Sequence, residues 1–449
     1  MTWTRKLAAV SAAAAVALTA ACTQPSQTEP TKEYTSTVDQ KASDTATTLS
    51  LWTFVELHGQ YYETMAGYWN EANPDRQVKV EINVMPYDDM HNKLQLALNS
   101  GTGLPDLVDI EVSKFPNFTK GEPALEDLTA AAAPYVQDLV KSRLDLYSKN
   151  GALYGLDFHV GTTVAYYNTE LLEAAGIDYS TIETWDDYKA AGVKYKEETG
   201  KTFATVDTSA AWQSNLLLAQ LGGDYLDSDG NVTVDSPEVI KAFDILKDLQ
   251  DSGAADVPPG GQPDTEEAYG SINNGDFAAM VMPSWFMSRF TAYMPELAGK
   301  VAVAPAPVVE GAVSKTVGGG GTGTAVPSAG SNTELASEFI AFAKLSKEGN
   351  IEIWKTLGFD PLNTSMWTDE SIIRDPENET IKYFKTNPFD AFNAVSDSIG
   401  LLVSGTSPNF PSVNNTLTTE TLNNIFESGT PVEEALKQAA TDLRNELGQ

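Results

Sequence analysis

Cysteine is almost absent from this chain: Cys22 is the only one among 449 residues. A single thiol cannot form a disulfide within the chain, which excludes a disulfide-stapled domain. Histidine is scarce too, and His58, His91 and His159 lie far apart and match no zinc-binding spacing. The sequence therefore indicates no metal site, although a site assembled from three distant histidines stays open.

Basic residues are outnumbered about two to one. The chain has 29 Lys and Arg against 62 Asp and Glu, and its formal net charge is −33. Such a field repels nucleic acid and phosphorylated ligands, so we expect no nucleic-acid partner and favour a neutral ligand or a cation. The alternative, at least as good, is that acidity only keeps an exported protein in solution.

The N-terminus carries an export signal. Residues 1–21 have a basic start at Arg5 and Lys6, then an apolar stretch, then small residues, as in a secretory signal peptide. The stretch is too short and alanine-rich for a lasting membrane span. At the cleavage point "LTAAC" resembles the lipobox of bacterial lipoproteins, with Thr19 in the usual aliphatic place. We expect Cys22 to be lipidated; an incidental cysteine beside a plain signal peptide is the alternative.

The segment after the cysteine has almost nothing to bury. Residues 23–48 are rich in Thr, Ser, Gln and Pro, so their composition predicts a flexible tether. Together with the cysteine that the lipobox-like motif marks for lipidation, this segment covers residues 22–48. A coil of this length spans about 25–30 Å. The prediction is an exported body held clear of the outer face of the cytoplasmic membrane.

Strands and helices alternate from residue 49 to about residue 110. Helix stop signals stand at Asn73 with Pro74 and at Ser100 with Gly101. The alternation indicates an α/β fold with a doubly wound, mostly parallel sheet, whose ligands gather at the carboxyl ends of the strands. The segments are "LSLWTF", the loop "VELHG", "GQYYETMAGYWNEANP", "QVKVEINVMP", "YDDMHNKLQLALNSGTG" and "LPDLVDIEV".

The rest of the chain reads as a long mixed section without repeats or a low-complexity linker, which two lobes joined by several chain crossings would explain. Thr184 with Asp187 approximates a capping box, and Ser236 caps a helix that starts at Pro237. Helices are predicted at about 134–149, 168–175, 184–198, 210–221, 236–252 and in "NTELASEFIAFAKLS"; extended segments are "GALYGLDFHVGTTVAYYN", "FAAMVMP", "VAVAPAP" and "GGGGTGTAVP".

Two short motifs suggest cofactors and fail on context. "GGGGTG" at 318–323 matches a dinucleotide-binding pattern, but Pro327 stands where a helix must open. These glycines mark backbone that is sharply bent or close to a ligand, or a surface turn. "DSDGN" at 227–231 has Tyr225 and Ser236 where a calcium loop needs acids, so it predicts a turn. No cofactor is expected.

No motif in the sequence indicates an enzyme. Glu56 and Glu111 both follow strand ends and could form the carboxylate pair of a glycosidase, but with 62 acids such a pair arises by chance. Aromatic residues beside polar ones, as in "WTFVELH", "AAWQSN" and "MPSWFMSR", instead indicate an aromatic-lined polar cleft in which a sugar ring can stack. Trp52 lies within a strand and is expected in the core.

The order and spacing of several segments resemble those of one family, the extracellular solute-binding proteins of carbohydrate ABC transporters, which include maltodextrin- and arabino-oligosaccharide-binding members. The resemblance covers Leu49 to about residue 430. Its segments are "LWTF", "NPDRQVKVEI", "SGTGLPDLVDIE", "YGLDFHVGTTVAYYNTELLEAAGI", "TWDDY", "LGGDYLD", "GDFAAMVMPSWFM" and "LASEFIAFAKLSKEG".

The resemblance implies a two-lobe, periplasmic-binding-protein-like fold of type II, in which a hinge closes the interlobe cleft on the ligand. Lobe 1 would comprise 49–157 and 308–352, and lobe 2 would comprise 158–307 and 353–449. The resemblance also implies a monomeric, non-enzymatic receptor that delivers an oligosaccharide, with arabino- or xylo-type favoured, to a membrane permease.

The resemblance carries over Glu56, Glu111, Lys114, Trp212 and Trp285 as sugar-binding residues. A family tryptophan is replaced by Leu417, which leaves Trp354, Phe359 and Phe410 as candidates for a far subsite. The expected binding residues are Glu56, His58, His91, Glu111, Lys114, His159, Trp212, Gln213, Trp285, Gly319, Gly320 and Phe359. An exported glycoside hydrolase and a metal- or peptide-binding receptor of the same fold remain the alternatives.

Overall fold

The structure, a computed structural model, describes residues 34–449. Cys22 and the predicted signal peptide lie outside the described residues. The strands are β1 (Thr47–Thr53), β2 (Val78–Val84), β3 (Leu107–Glu111), β4 (Ser148–Lys149), β5 (Ala152–Leu153), β6 (Thr163–Asn168), β7 (Thr202–Thr205), β8 (Ala255–Asp256), β9 (Phe277–Pro283), β10 (Val301–Pro305), β11 (Thr316–Val317), β12 (Thr322–Ala325) and β13 (Ile399–Gly400).

The helices separate and flank these strands. They are α1 (Glu56–Ala72), α2 (Tyr87–Ser100), α3 (Phe115–Phe118), α4 (Thr129–Ala132), α5 (Lys141–Asp145), α6 (Thr169–Ala174), α7 (Trp185–Thr199), α8 (Trp212–Leu221), α9 (Pro237–Asp251), α10 (Glu266–Asn273), α11 (Met287–Tyr293), α12 (Thr333–Leu345), α13 (Lys347–Glu352), α14 (Glu370–Ile373), α15 (Glu379–Tyr383), α16 (Pro388–Val395), α17 (Phe410–Thr416), α18 (Leu422–Phe426) and α19 (Val432–Leu447). Within residues 34–449, no helix combines the length and the hydropathy needed to cross a bilayer.

Two larger sheets organise these elements. The first sheet has the order β12-β3-β1-β2, with β1 parallel to both neighbours and β12 antiparallel to β3. The second sheet has the order β10-β6-β9-β7-β8, with β7 parallel to β8 and β9, and β6 antiparallel to β9 and β10. In the first sheet the reversed strand β12 is an edge strand, which is common in mixed α/β sheets, whereas in the second sheet the reversed strand β6 lies between two neighbours.

Each sheet has a hydrophobic core, and β6 contributes to both. Val164 and Tyr166 belong to the core that includes Leu51 of the first sheet. Ala165 and Tyr167 belong to the other core. This alternation follows from the two-residue period of a strand whose two faces are both covered.

The start and stop signals of several helices are confirmed by the structure. Thr184 and Asp187 form a complete capping box at α7, and the Ser236 hydroxyl accepts a hydrogen bond from the Val239 N–H at the start of α9. Gly101 ends α2 in the left-handed conformation at φ 66°. These predictions are confirmed because a cap depends on residues three or four positions apart.

Two local predictions are wrong. The stretch 134–149 is not one helix, because Asp138 adopts φ 70°, which a right-handed helix cannot contain, and only α5 forms there. Residues 55–59 are not a loop: Val55 is the extended N-cap, and α1 begins at Glu56. Trp52, by contrast, is a core residue as expected, with 7% of its surface exposed.

The second half of the predicted tether packs against the first sheet, which its composition did not indicate. The Tyr34 hydroxyl donates to Glu63 on α1 at 2.8 Å. The Gln40 side-chain amide donates to the Val80 carbonyl at 3.0 Å and accepts from the Val80 N–H at 2.7 Å. Gln40 thus pairs with the open edge of β2 as another strand would.

Candidate functional site

A cavity of about 590 Å³ is lined by residues that follow strands of both larger sheets. The carboxyl ends of β1 and β3 supply the first group, and the start of antiparallel β12 lies at the same edge of the first sheet. The residues after β7 and β9 supply the second group. Ligands of α/β sheets are expected at such an edge.

Eight of the twelve expected binding residues line this cavity, as does Phe410. The eight are His58, Glu111, His159, Trp212, Trp285, Gly319, Gly320 and Phe359. The lining also includes residues that the sequence did not single out, among them Tyr87, Arg143, Asn215, Asp264 and Arg289. Arg289 stands in the quoted segment "MPSWFMSR", four residues after Trp285. Its closeness to that tryptophan is the feature of the sequence that could have identified it as a cavity residue.

Four expected residues lie outside the cavity wall. Glu56 is exposed on the first turn of α1, whereas His58 two positions later is buried, because residues two apart face different sides of a helix. The Lys114 ammonium lies 3.6 Å from Asp88. Gln213 is buried and donates to the Thr205 carbonyl at 2.8 Å, which ties α8 to β7.

His91 is the fourth, and it supports Glu111 from behind the wall. Its Nδ1 lies 2.7 Å from the Tyr87 carbonyl, and its Nε2 lies 3.1 Å from the Glu111 backbone nitrogen. A carbonyl only accepts and an N–H only donates, so Nδ1 carries the proton and Nε2 accepts. Burial lowers the pKa of His91, in agreement with a neutral ring.

The Glu111 carboxylate is anchored through one oxygen. Oε2 accepts from the Tyr87 hydroxyl at 3.0 Å, from the Ser113 N–H at 2.8 Å, and from the Ser113 hydroxyl. Burial raises the pKa of Glu111, and these hydrogen bonds oppose the rise. None of the hydrogen bonds found within residues 34–449 uses Oε1, so that atom can accept from a ligand hydroxyl.

His58 is held by a buried carboxylate. Its Nδ1 lies 3.0 Å from Asp109 Oδ2, and Asp109 also accepts from the hydroxyls of Thr53, Tyr62 and Thr324 at 2.7–2.8 Å. Burial lowers the pKa of His58. Burial alone would raise the pKa of Asp109, but the bond to His58 brings it down to about 2. Asp109 therefore fixes a neutral His58 ring in the wall.

Trp212 and Trp285 form an edge-to-face pair, with ring centroids 5.3 Å apart and an interplanar angle of 70°. Trp212 begins α8 and donates through Nε1 to Gln262 at 3.1 Å. Trp285 follows β9 and donates through Nε1 to the Gly319 carbonyl at 3.1 Å. Because both indole N–H groups are already bonded, the rings are fixed in place as apolar surfaces.

The glycine segment at 318–321 is sharply bent, and side chains crowd it. Gly321 has φ 142°, and a Cβ at Gly320 would lie 2.9 Å from Trp285 Nε1. A Cβ at Gly319 would lie 2.5 Å from Pro283. Only glycine fits these close approaches. The four glycines thus let the wall pass directly beside the tryptophan.

His159 and Phe359 lie side by side, with ring centroids 4.6 Å apart. His159 is 4% exposed, and its Nδ1 makes no hydrogen bond to the part of the chain that the structure describes. Burial lowers the pKa of His159 to about 3. This nitrogen is itself buried, 3.7 Å from Asp360 Oδ1, so a ligand in the cavity meets other atoms of the neutral ring.

The other two candidates for the far subsite, Phe410 and Trp354, differ in whether they reach the cavity. Phe410 lines the cavity, but Trp354 is 1% exposed and packs against Phe389, with ring centroids 4.7 Å apart. Leu417 is also buried, at 1% exposure. Within residues 34–449, no three His, Cys, Asp or Glu side chains are arranged to hold a metal ion.

A protein-family profile described as "bacterial extracellular solute-binding protein" matches residues 56–350. The chain is 41% identical over 406 residues to an arabinooligosaccharide-binding protein of Halalkalibacterium halodurans, covering 90% of each chain. It is 41% identical over 356 residues to an arabinooligosaccharide-binding protein of Bacillus subtilis, covering 79% of this chain and 82% of the relative.

Solved structures share the fold at low sequence identity. The GacH receptor of Streptomyces glaucescens superposes with a TM-score of 0.71 at 21% identity, over 90% of this chain and 98% of the receptor. The sugar-binding protein MalE of Xanthomonas citri gives a TM-score of 0.74 at 18% identity, over 90% and 98%. The predicted two-lobe α/β fold is confirmed by this likeness.

Proposed function

The chain belongs to the family of bacterial extracellular solute-binding proteins, and on that premise we propose that it captures an oligosaccharide and delivers it to the permease of an ABC importer. The observation that carries the proposal is the fixed pair Trp212 and Trp285, which lines the same cavity as hydrogen-bonding groups of the first sheet. Sugar rings present an apolar face and a hydroxyl edge, and this wall offers a surface for each.

The ligand we propose is an arabino-oligosaccharide or a related pentose oligomer. Two relatives at 41% identity are named as arabinooligosaccharide-binding proteins. The cavity volume of about 590 Å³ lies in the range typical of small-molecule sites. The binding residues in this proposal are the eight expected ones that line the cavity, together with Phe410.

Binding rather than hydrolysis is supported by the position of the acids. Of the two carboxylates considered as a catalytic pair, Glu111 lines the cavity and Glu56 does not. A glycosidase needs two carboxyl groups flanking the scissile bond, and Asp264, the other acid of the wall, is paired with Arg289. We therefore propose a non-enzymatic receptor.

The remaining parts of the proposal concern the protein's place in the cell. The family supports an exported protein. We propose that Cys22 carries the lipid anchor on the outer face of the cytoplasmic membrane, that the protein is a monomer, and that a hinge closes the lobes 49–157 plus 308–352 and 158–307 plus 353–449 on the sugar. A ligand that contacts both lobes biases such an equilibrium toward the closed state.

The test is a thermal-shift and calorimetric screen with arabino-, xylo-, galacto- and malto-oligosaccharides. We expect binding of pentose oligomers, and about a tenfold loss of affinity in Trp212→Ala and Trp285→Ala. Tyr68→Ala, at a 40% exposed tyrosine on α1, is the control and keeps wild-type affinity. Release of reducing sugar by the purified protein, or stabilisation by zinc and by no sugar, would overturn the proposal.

A further inference from the structure

An ion pair beside Trp285 has no part in the site as proposed so far. Arg289 lies on α11, and Asp264 precedes the capping residue Thr265 of α10. The Arg289 Nε donates to Asp264 Oδ1 at 2.9 Å. Both residues line the cavity, and their side chains are 29% and 22% exposed. The pair therefore combines a fixed geometry with access to a ligand.

Neighbouring groups occupy only some of the pair's polar atoms. The Tyr269 hydroxyl also donates to Asp264 Oδ1, and Arg289 Nη1 donates to the Ser288 hydroxyl at 3.1 Å. The Tyr269 hydroxyl also lies near the guanidinium of Arg289. None of the three hydrogen bonds named here uses Arg289 Nη2 or Asp264 Oδ2, so these two atoms can bind other groups. One strong donor and one strong acceptor are thus held side by side.

The guanidinium is also placed relative to the aromatic platform. Its central carbon lies 5.4 Å from the Trp285 ring centroid, a cation–π distance. Trp285 itself is fixed by its bond to the Gly319 carbonyl. The guanidinium thus covers part of the Trp285 ring, and a sugar held against the exposed remainder of that ring would lie next to the charged pair.

We propose that Arg289 and Asp264 together bind two adjacent hydroxyls of the sugar at Trp285 and make the site selective for neutral over acidic sugars; this rests on the proposed function. Each hydroxyl can donate and accept, so a neighbouring pair satisfies Nη2 and Oδ2 at once. A uronic acid carboxylate would gain from Arg289 but meet Asp264 at close range. Selectivity by such a repulsive element is a difference of two affinities.

No other charged side chain of the cavity wall that the structure describes cancels the negative charge that Asp264 presents to an acidic sugar. Arg143 is committed to Asp157, to which it donates two hydrogen bonds. Glu111 adds a further acid to the wall. Replacing Asp264 by asparagine keeps the shape of the side chain but removes its charge. The positive charge of Arg289 is then free to attract an acidic sugar.

The experiment measures binding of arabinotriose, xylotriose and the acidic trisaccharide glucuronosyl-xylobiose to the full chain by calorimetry. We expect the wild type to bind a neutral trisaccharide and not the acidic one. Asp264→Asn should bind the neutral sugar about ten- to a hundredfold more weakly and gain binding of the acidic sugar. Arg289→Gln should weaken binding of the neutral sugar to the same extent and should not bind the acidic sugar.

Controls separate this inference from folding and from the proposed function. Arg76→Gln breaks an exposed ion pair with Glu338 outside the cavity wall and should leave all affinities unchanged. Melting temperatures of the variants within a few degrees of wild type exclude unfolding. If Asp264→Asn and Arg289→Gln bind like wild type while Trp285→Ala does not, the inference is overturned and the receptor stands. If the wild type binds no sugar, the proposed function itself fails.

Discussion

Arg143 and Asp157 form a buried ion pair that also anchors the glycine segment of the cavity wall. Arg143 donates to Asp157 Oδ2 through Nε at 3.1 Å and through Nη2 at 2.5 Å, and Nη2 donates to the Gly320 carbonyl at 2.6 Å. Asp157 Oδ1 accepts from the Thr322 N–H at 3.0 Å. The pair thus fastens both ends of the bend beside Trp285.

Removal of either member should damage stability and binding together. Arg143→Met and Asp157→Asn are expected to lower the free energy of unfolding by about 3–5 kcal/mol, because the remaining group stays buried. Sugar affinity should fall as well, since Gly320 loses its anchor. Urea unfolding and calorimetry measure the two effects.

A neighbouring exposed ion pair is the matched control for this prediction. Lys141 and Asp145 pair at the surface of the same helix, α5, so Lys141→Gln should cost no more than about 1 kcal/mol. An equal loss in Lys141→Gln and Arg143→Met would contradict a special role for the buried pair.

Asp360 joins chain segments that are distant in sequence. Its carboxylate accepts from the N–H groups of Gly161 and Thr162 at 3.0 and 2.9 Å, from the Thr162 hydroxyl at 2.6 Å and from the Ser284 hydroxyl at 2.5 Å. Asp360→Asn turns an NH₂ group toward donors, so we expect a loss of about 2–3 kcal/mol in unfolding free energy.

Chemical denaturation at pH 7 tests that loss. Asp178→Asn is the control, because Asp178 is an exposed capping residue and asparagine caps equally well. A change below about 0.5 kcal/mol in Asp360→Asn would mean that its donors find other acceptors.

His159 should make stability depend on pH. Its pKa is lowered to about 3 by burial, with Asp157 opposing the shift and Arg143, Lys344 and His58 adding to it. In the unfolded chain a histidine binds a proton below about pH 6.5. Between these values the unfolded state holds more protons, so the free energy of unfolding falls as the pH falls from about 6.5 toward 3.

His159→Gln should flatten this dependence. From pH 7.5 to 4.5 the variant is expected to lose about 2–3 kcal/mol less than the wild type in urea titrations. His58 and His91 also have lowered pKa values and keep their own share of the slope. Identical pH profiles for variant and wild type would show that His159 is protonated in the folded protein.

Gln40 should protect the edge of β2. In Gln40→Ala the Val80 N–H loses its acceptor, so its hydrogen exchange should accelerate about fivefold and the free energy of unfolding should fall by about 1 kcal/mol. Ser36→Ala, at an exposed position of the same segment, should change neither. Unchanged exchange at Val80 would mean that solvent replaces the glutamine without cost.

Much of the fold and part of the site were predictable because their signals are local. The capping box of Thr184 and Asp187, the stop at Gly101 and the strand around Trp52 depend on near neighbours along the chain. Strand ends located the cavity, and tryptophans that follow them, such as Trp285, were expected there.

Helix phase and distant partners were not predictable in this way. Glu56 and His58 were both expected in the site, with Glu56 the first choice, but the start of α1 at Glu56 turns Glu56 outward and His58 into the wall. The pairing of Gln40 with Val80 could not be predicted, because a glutamine in a polar segment looks the same in the sequence whether or not it pairs with a strand.

The sequence by itself determined most of the element order, the caps and the sheet edge at which the cavity lies, because strand and helix periods are properties of adjacent residues. Only the tertiary structure decided which charges meet in the cavity wall. Arg143 reaches Gly320 across 177 residues and Arg289 reaches Asp264 across 25. Such contacts depend on how the sheets and helices pack, and no spacing along the chain encodes them.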